Sequence, residues 1–65
     1  MTIKKFCELY AYHWQKVDVW QRDRDGDFFL VFEGDILSLS KSEYLNKKIQ
    51  SFDFDADLRL ITINI

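Results

Sequence analysis

The sequence predicts an α+β fold: one small single domain of 65 residues, element order α-β-β-α-β-β, with an antiparallel sheet and helices packed on it. Three observations predict this. Apolar residues near the N-terminus recur with a helical period, and later stretches alternate with a period of two between Gly- and Asp-containing breaks. The composition, 48% hydrophobic and 17% aromatic without proline, suits a packed core and not a disordered chain. A chain this short buries only about 60% of the surface its unfolded form exposes, so its apolar faces need partners.

The first element is a helix. Thr2 is placed to cap it, and Ile3, Phe6, Cys7, Tyr10, Ala11 and Trp14 form one stripe, with Lys4, Lys5, Glu8 and Tyr12 off its centre. Lys16 to Gln21 follows as a strand, with Val17 and Val19 on one face and Asp18 and Trp20 on the other. Arg22 to Asp27 is a turn whose tight point is Asp25-Gly26. Phe28 to Glu33 is a second strand, apolar on both faces and therefore expected in the sheet centre. Gly34-Asp35 ends it. Ser40-Lys41-Ser42-Glu43 has the form of a capping box, with Leu39 and Tyr44 as its staple, and predicts a helix from Lys41 to about Lys48. Ile49 to Phe54 and Leu58 to Ile65 complete the sheet, joined by Asp55-Ala56-Asp57. The apolar last strand, with Ile61, Ile63 and Ile65 on one face, is expected inside the sheet.

Nine basic and eleven acidic residues leave a formal charge of −2, which argues against a polybasic nucleic-acid coat. Cys7 is the sole cysteine, excluding an internal disulfide and a cysteine-based zinc site within one chain. The longest apolar run is Phe28 to Phe32, so neither a signal peptide nor a membrane span is expected. A reduced, cytoplasmic protein is the simplest expectation.

No catalytic set assembles. Cys7 and His13 would lie about 120° apart around a helix, and a single histidine and cysteine offer no third group. No enzyme activity and no cofactor are expected. Asp23, Asp25 and Asp27 alternate like the opening of a calcium loop, but the pattern then fails. Glycine stands fourth instead of sixth, and Gly34 occupies the place of the bidentate glutamate. An acidic hairpin turn is the reading, with divalent-metal binding as an alternative. Asp53, Asp55 and Asp57 alternate in the same way, and the turn there is expected to part them.

Two binding surfaces stand out. Trp20 lies opposite the Val17/Val19 face and, with Asp18, Asp23, Asp25 and Asp27, makes an aromatic anchor rimmed by acids, a pattern suited to protein binding. Lys4, Lys5, Lys16, Tyr12 and Trp14 make an alternative basic and aromatic set suited to nucleic acid, with Arg22 and Arg24 nearby. Acids interleave with that second set, so direct nucleic-acid binding ranks below protein binding. A homodimer is compatible with either, with edge pairing through Leu58 to Ile65 as its route.

Met1 to Phe6, Val17-Asp18-Val19-Trp20, Phe32-Glu33-Gly34-Asp35, Ser40 to Leu45 and Leu58 to Ile63 together resemble small proteins encoded by phages, prophages and plasmids of Gram-positive bacteria. Some proteins of that size and setting inhibit host defence nucleases, anti-CRISPR proteins among them. The resemblance supplies no catalytic residue. It implies non-enzymatic protein binding, and the expected role is that of an inhibitor or regulator of a larger host protein, such as a nucleic-acid-binding enzyme.

Overall fold

The computed structural model describes residues 1–65. The elements are α1 (Ile3–Leu9), β1 (Lys16–Arg22), β2 (Phe28–Asp35), α2 (Ile36–Leu39), β3 (Ser51–Asp55) and β4 (Leu60–Asn64). They form a four-stranded sheet of order β2-β1-β4-β3, with both helices on one side. The shortest dimension is 17 Å, the thickness of one sheet and one layer upon it.

The sheet is mixed, not antiparallel as expected. β1 pairs antiparallel with β2, and β3 with β4, but β1 and β4 run parallel at the centre. The reason lies in the crossover. After β2 the chain passes over the helix side and enters the far edge as β3, and the β3–β4 hairpin then returns β4 beside β1. β4 is interior, as its apolar sequence requires, so the dimer route through Leu58 to Ile65 is closed.

β2 is an edge strand, which corrects its expected central place. Its half toward the turn is not buried on either face: Phe28, Phe29 and Leu30 stay 46%, 45% and 43% exposed. Val19 faces Phe32 while Trp20 faces Leu30, so Val31 is the extra residue of a bulge. The bulge lets Val31 and Phe32 both pack on the core and rotates Leu30 and Phe28 to the other face.

α1 is shorter than its stripe predicts. Ile3, Phe6 and Cys7 are buried, but Tyr10 caps the helix in extended conformation and Trp14 is 75% exposed. Its start is well satisfied: the Lys5 amide donates to Thr2 Oγ1 at 3.2 Å, and the Ile3 and Lys4 amides donate to the Lys47 and Leu45 carbonyls. Those carbonyls help to explain why no helix spans Lys41–Lys48. The second helix begins earlier, where Asp35 accepts from the Ser38 amide at 2.8 Å and Ile36 and Leu39 enter the core. Ser40 donates its hydroxyl to the Leu37 carbonyl and closes that helix, so the expected capping box does not form. Residues 41–46 follow as turns.

The core is Ile3, Phe6, Cys7, Val17, Val19, Ile36, Leu39, Ile61 and Ile63. Buried Gln15 ties it to the loops. Its Nε2 donates to the carbonyls of Lys16 and Arg59, and its Oε1 accepts from the Tyr10 hydroxyl at 3.4 Å. α1 reaches only about 10 Å along its axis and leaves part of the sheet bare. Phe52 and Phe54 line a shallow apolar groove with Phe6, Tyr10 and Ile61. No helix is long and apolar enough to cross a membrane.

Candidate functional site

Pleating sends Val17 and Val19 into the core and turns Lys16, Asp18, Trp20 and Arg22 to the side without helices. Strand register extends this open face across the sheet. Glu33, Asp18, Thr62 and Asp53 form one row over β2, β1, β4 and β3. The neighbouring row toward the β1–β2 turn is Leu30, Trp20, Asn64 and Ser51. Strands lie ~4.8 Å apart, so three carboxylates stand abreast of one threonine, one row away from the indole.

Asp18 is central to this arrangement. It sits directly opposite Glu33, a like-charge pair that destabilises a sheet. Its Oδ1 is buried and has no hydrogen-bond partner. A buried acceptor without a donor is uncommon, because its lost hydration is not replaced. Trp20 is half-buried and flanked by Leu30 and Asn64, with Asn64 Nδ2 donating to Ser51 Oγ at 3.0 Å. Arg22 lies over the Phe28 ring, 4.8 Å from its centroid, so this cation is held at the far end of the face.

The sequence-predicted residues divide between this face and its rim. Asp18 and Trp20 share the face. Asp23, Asp25 and Asp27 are at the tip of the same hairpin, all exposed. Asp23 Oδ1 accepts from the amides of Asp25 at 2.9 Å and Asp27 at 3.0 Å, so that carboxylate organises the turn. Gly26 occupies the left-handed region at φ 87°. No group of three or more potential ligands is close enough to hold a metal ion. Asp53 and Asp55 are not parted by the turn as expected. β3 runs through both, and they share the open face, while Asp55 Oδ1 accepts from the Asp57 and Leu58 amides.

The basic and aromatic set is divided. Tyr12 and Trp14 meet edge-on at 5.7 Å and line a depression with Lys16 and Arg59. Lys4 lies on α1 near Glu8 and Ser40, away from that cluster, and Lys5 is exposed on the same helix. Trp14 and Lys16 also border Glu33 and Asp35, so one side of the aromatic pair is acidic. Cys7 is buried, which raises its thiol pKa, while His13 is exposed in the following loop.

Leu30, Glu33 and Asn64 are not among the residues the sequence singles out, and Asp53 is singled out only as one of its acids. Their strands were legible, but the rows joining them depend on a parallel pairing and a bulge that local sequence does not encode. Comparison with family models, curated proteins and solved structures returned no match.

Proposed function

We propose that this chain is a non-enzymatic protein-binding module that seats its open sheet face on a basic surface of a larger protein. Trp20 and Leu30 are the apolar anchor, and Glu33, Asp18 and Asp53 receive arginine or lysine side chains. The observation that carries the reading is Asp18 Oδ1, a buried acceptor without a donor in the middle of an acidic row. A guanidinium would supply the missing donor and neutralise the Asp18–Glu33 repulsion in one contact. Surfaces that themselves bind nucleic acid are basic, so a host nucleic-acid-binding enzyme, such as a defence nuclease, is the proposed partner class. The resemblance to mobile-element proteins supports the same choice and makes inhibition the proposed consequence.

The test is capture from a Gram-positive lysate with and without nuclease treatment, followed by a salt series on the captured protein. A stoichiometric partner that survives nuclease, weakens with salt and is lost with Trp20→Ala and Asp18→Asn is expected. Retention unaffected by both substitutions would sink the assignment of this face.

A second reading rests on Tyr12, Trp14, Lys16 and Arg59, whose exposed rings and cations suit base stacking beside phosphate. It predicts a low-salt mobility shift with single-stranded nucleic acid that Trp14→Ala abolishes. No shift at low salt removes it.

A further inference from the structure

Both edges of the sheet are free, and their chemistry differs. β3 alternates Phe52 and Phe54 with Asp53 and Asp55, and these acids disfavour pairing with a copy of itself. β2 carries its two acids, Glu33 and Asp35, only beyond the bulge at Val31, and the half before the bulge has none. Phe28 to Phe32 contains no charge and no proline, and backbone bonds from Phe28–Glu33 go only to β1. This uncharged half of the edge carries the most apolar run in the chain.

We propose that β2 pairs antiparallel with β2 of a second copy, about a twofold axis through Phe29, to make one continuous eight-stranded sheet. The strand is self-complementary in that register. Phe29 meets Phe29 of the copy, and Phe28 meets Leu30. Phe28 and Leu30 both face the open side, so each pair stays on one face. Asp27 falls opposite Val31, and the one facing pair of carboxylates, Glu33 and Asp25 of the copy, lies beyond the bulge, past the end of the paired segment. Trp20 and Arg22 of each copy, which neighbour Leu30 and Phe28, then flank an apolar strip that crosses the axis.

The exposed area sets the expected strength. The chain exposes 4861 Å², against about 4400 Å² for a folded monomer of its mass. Phe28, Phe29 and Leu30 at 46%, 45% and 43% exposure leave about 250 Å² per copy to cover, taking ~200 Å² per side chain. A standard interface uses about 800 Å² per partner, so the dimer is weak and depends on concentration.

Sedimentation of the native chain from about 10 μM to about 1 mM tests this, a range suited to a dissociation constant on the order of 100 μM. In a Cys7→Ala background, Phe29→Cys and Leu30→Cys are compared for oxidative cross-linking. The two copies' Cα atoms at position 29 would stand about 5 Å apart, within disulfide reach. At position 30 they would be about 8 Å apart and out of reach. A mass rising toward twice 7.9 kDa and cross-linking about tenfold faster at 29 than at 30 are expected on this geometry. Equal cross-linking at both positions overturns the register. A mass that stays monomeric overturns the proposal and leaves the edge to a strand of another protein. The native-chain mass decides this even where a variant does not fold.

Discussion

Gly26 and Asp18 show two ways in which a single residue sets the surface of this molecule. Gly26 holds φ 87° at the β1–β2 turn, and a Cβ there would meet nothing within 4 Å. The whole penalty of Gly26→Ala is therefore backbone strain, expected at about 1–2 kcal/mol in a urea melt. Stability equal to the native chain would mean that the turn does not need a left-handed residue. Asp18 is the opposite case, since it stands opposite Glu33 and its buried Oδ1 has no donor. Asp18→Asn removes a like charge facing Glu33 and is expected to stabilise by about 0.5–1 kcal/mol. The same change should weaken capture of a basic partner, and a variant that loses both stability and binding would point to a structural role instead.

The short second helix shows how elements compete. Asp35 and the Ser40 capping box offer alternative starts, and Asp35 prevails because Ile36 and Leu39 then enter the core. The Asp35 carboxyl titrates below its ordinary range, held there first by the Ser38 backbone amide and then by the Ser38 side chain. Folding thus favours the ionised form. The contribution is fully present above the unfolded carboxylate value of about 3.9 and fades as pH falls through the lower folded value. Asp35→Asn keeps a capping side chain without that titration, so its stability should fall less steeply in acid than the native chain's. Identical acid limbs by thermal melting would count against the cap.

For the whole molecule, nine of the ten buried residues are apolar and lie on one side of the sheet, which leaves its other face without a covering layer. Cys7 belongs to that core, and burial raises its thiol above the ordinary value of 9.0. A thiol so raised contributes stability that is complete below the unfolded value and lost as pH rises through the folded one. The native chain should therefore weaken in alkali, and Cys7→Ala should flatten that limb. A thiol reagent at about pH 8 should label Cys7 slowly until denaturant is added. Equally fast labelling of native protein would show that the thiol is open. The β2 edge and the acidic open face meet at this scale, since Leu30 and Glu33 belong to both.

The local periodicities carried much of the fold. The Ile3, Phe6, Cys7 pattern and the Thr2 cap specified the first helix, the Val17/Val19 alternation identified the core face of β1, and the run of isoleucines identified β4 as interior. Trp20 and Asp18 were legible as a pair because strand parity alone puts them together, opposite the core. Three features were decided only by the tertiary structure. The crossover that made the sheet mixed joined Glu33, Asp18 and Asp53, residues far apart in sequence, into one row. The bulge at Val31 changed which side of β2 faces outward. The placement of β2 at an edge left exposed the apolar residues that its composition had suggested were central. Periodicity reports which side of an element is apolar, whereas neighbours are set by how the chain closes over long distances, and that closure depends on packing between segments that no local pattern contains.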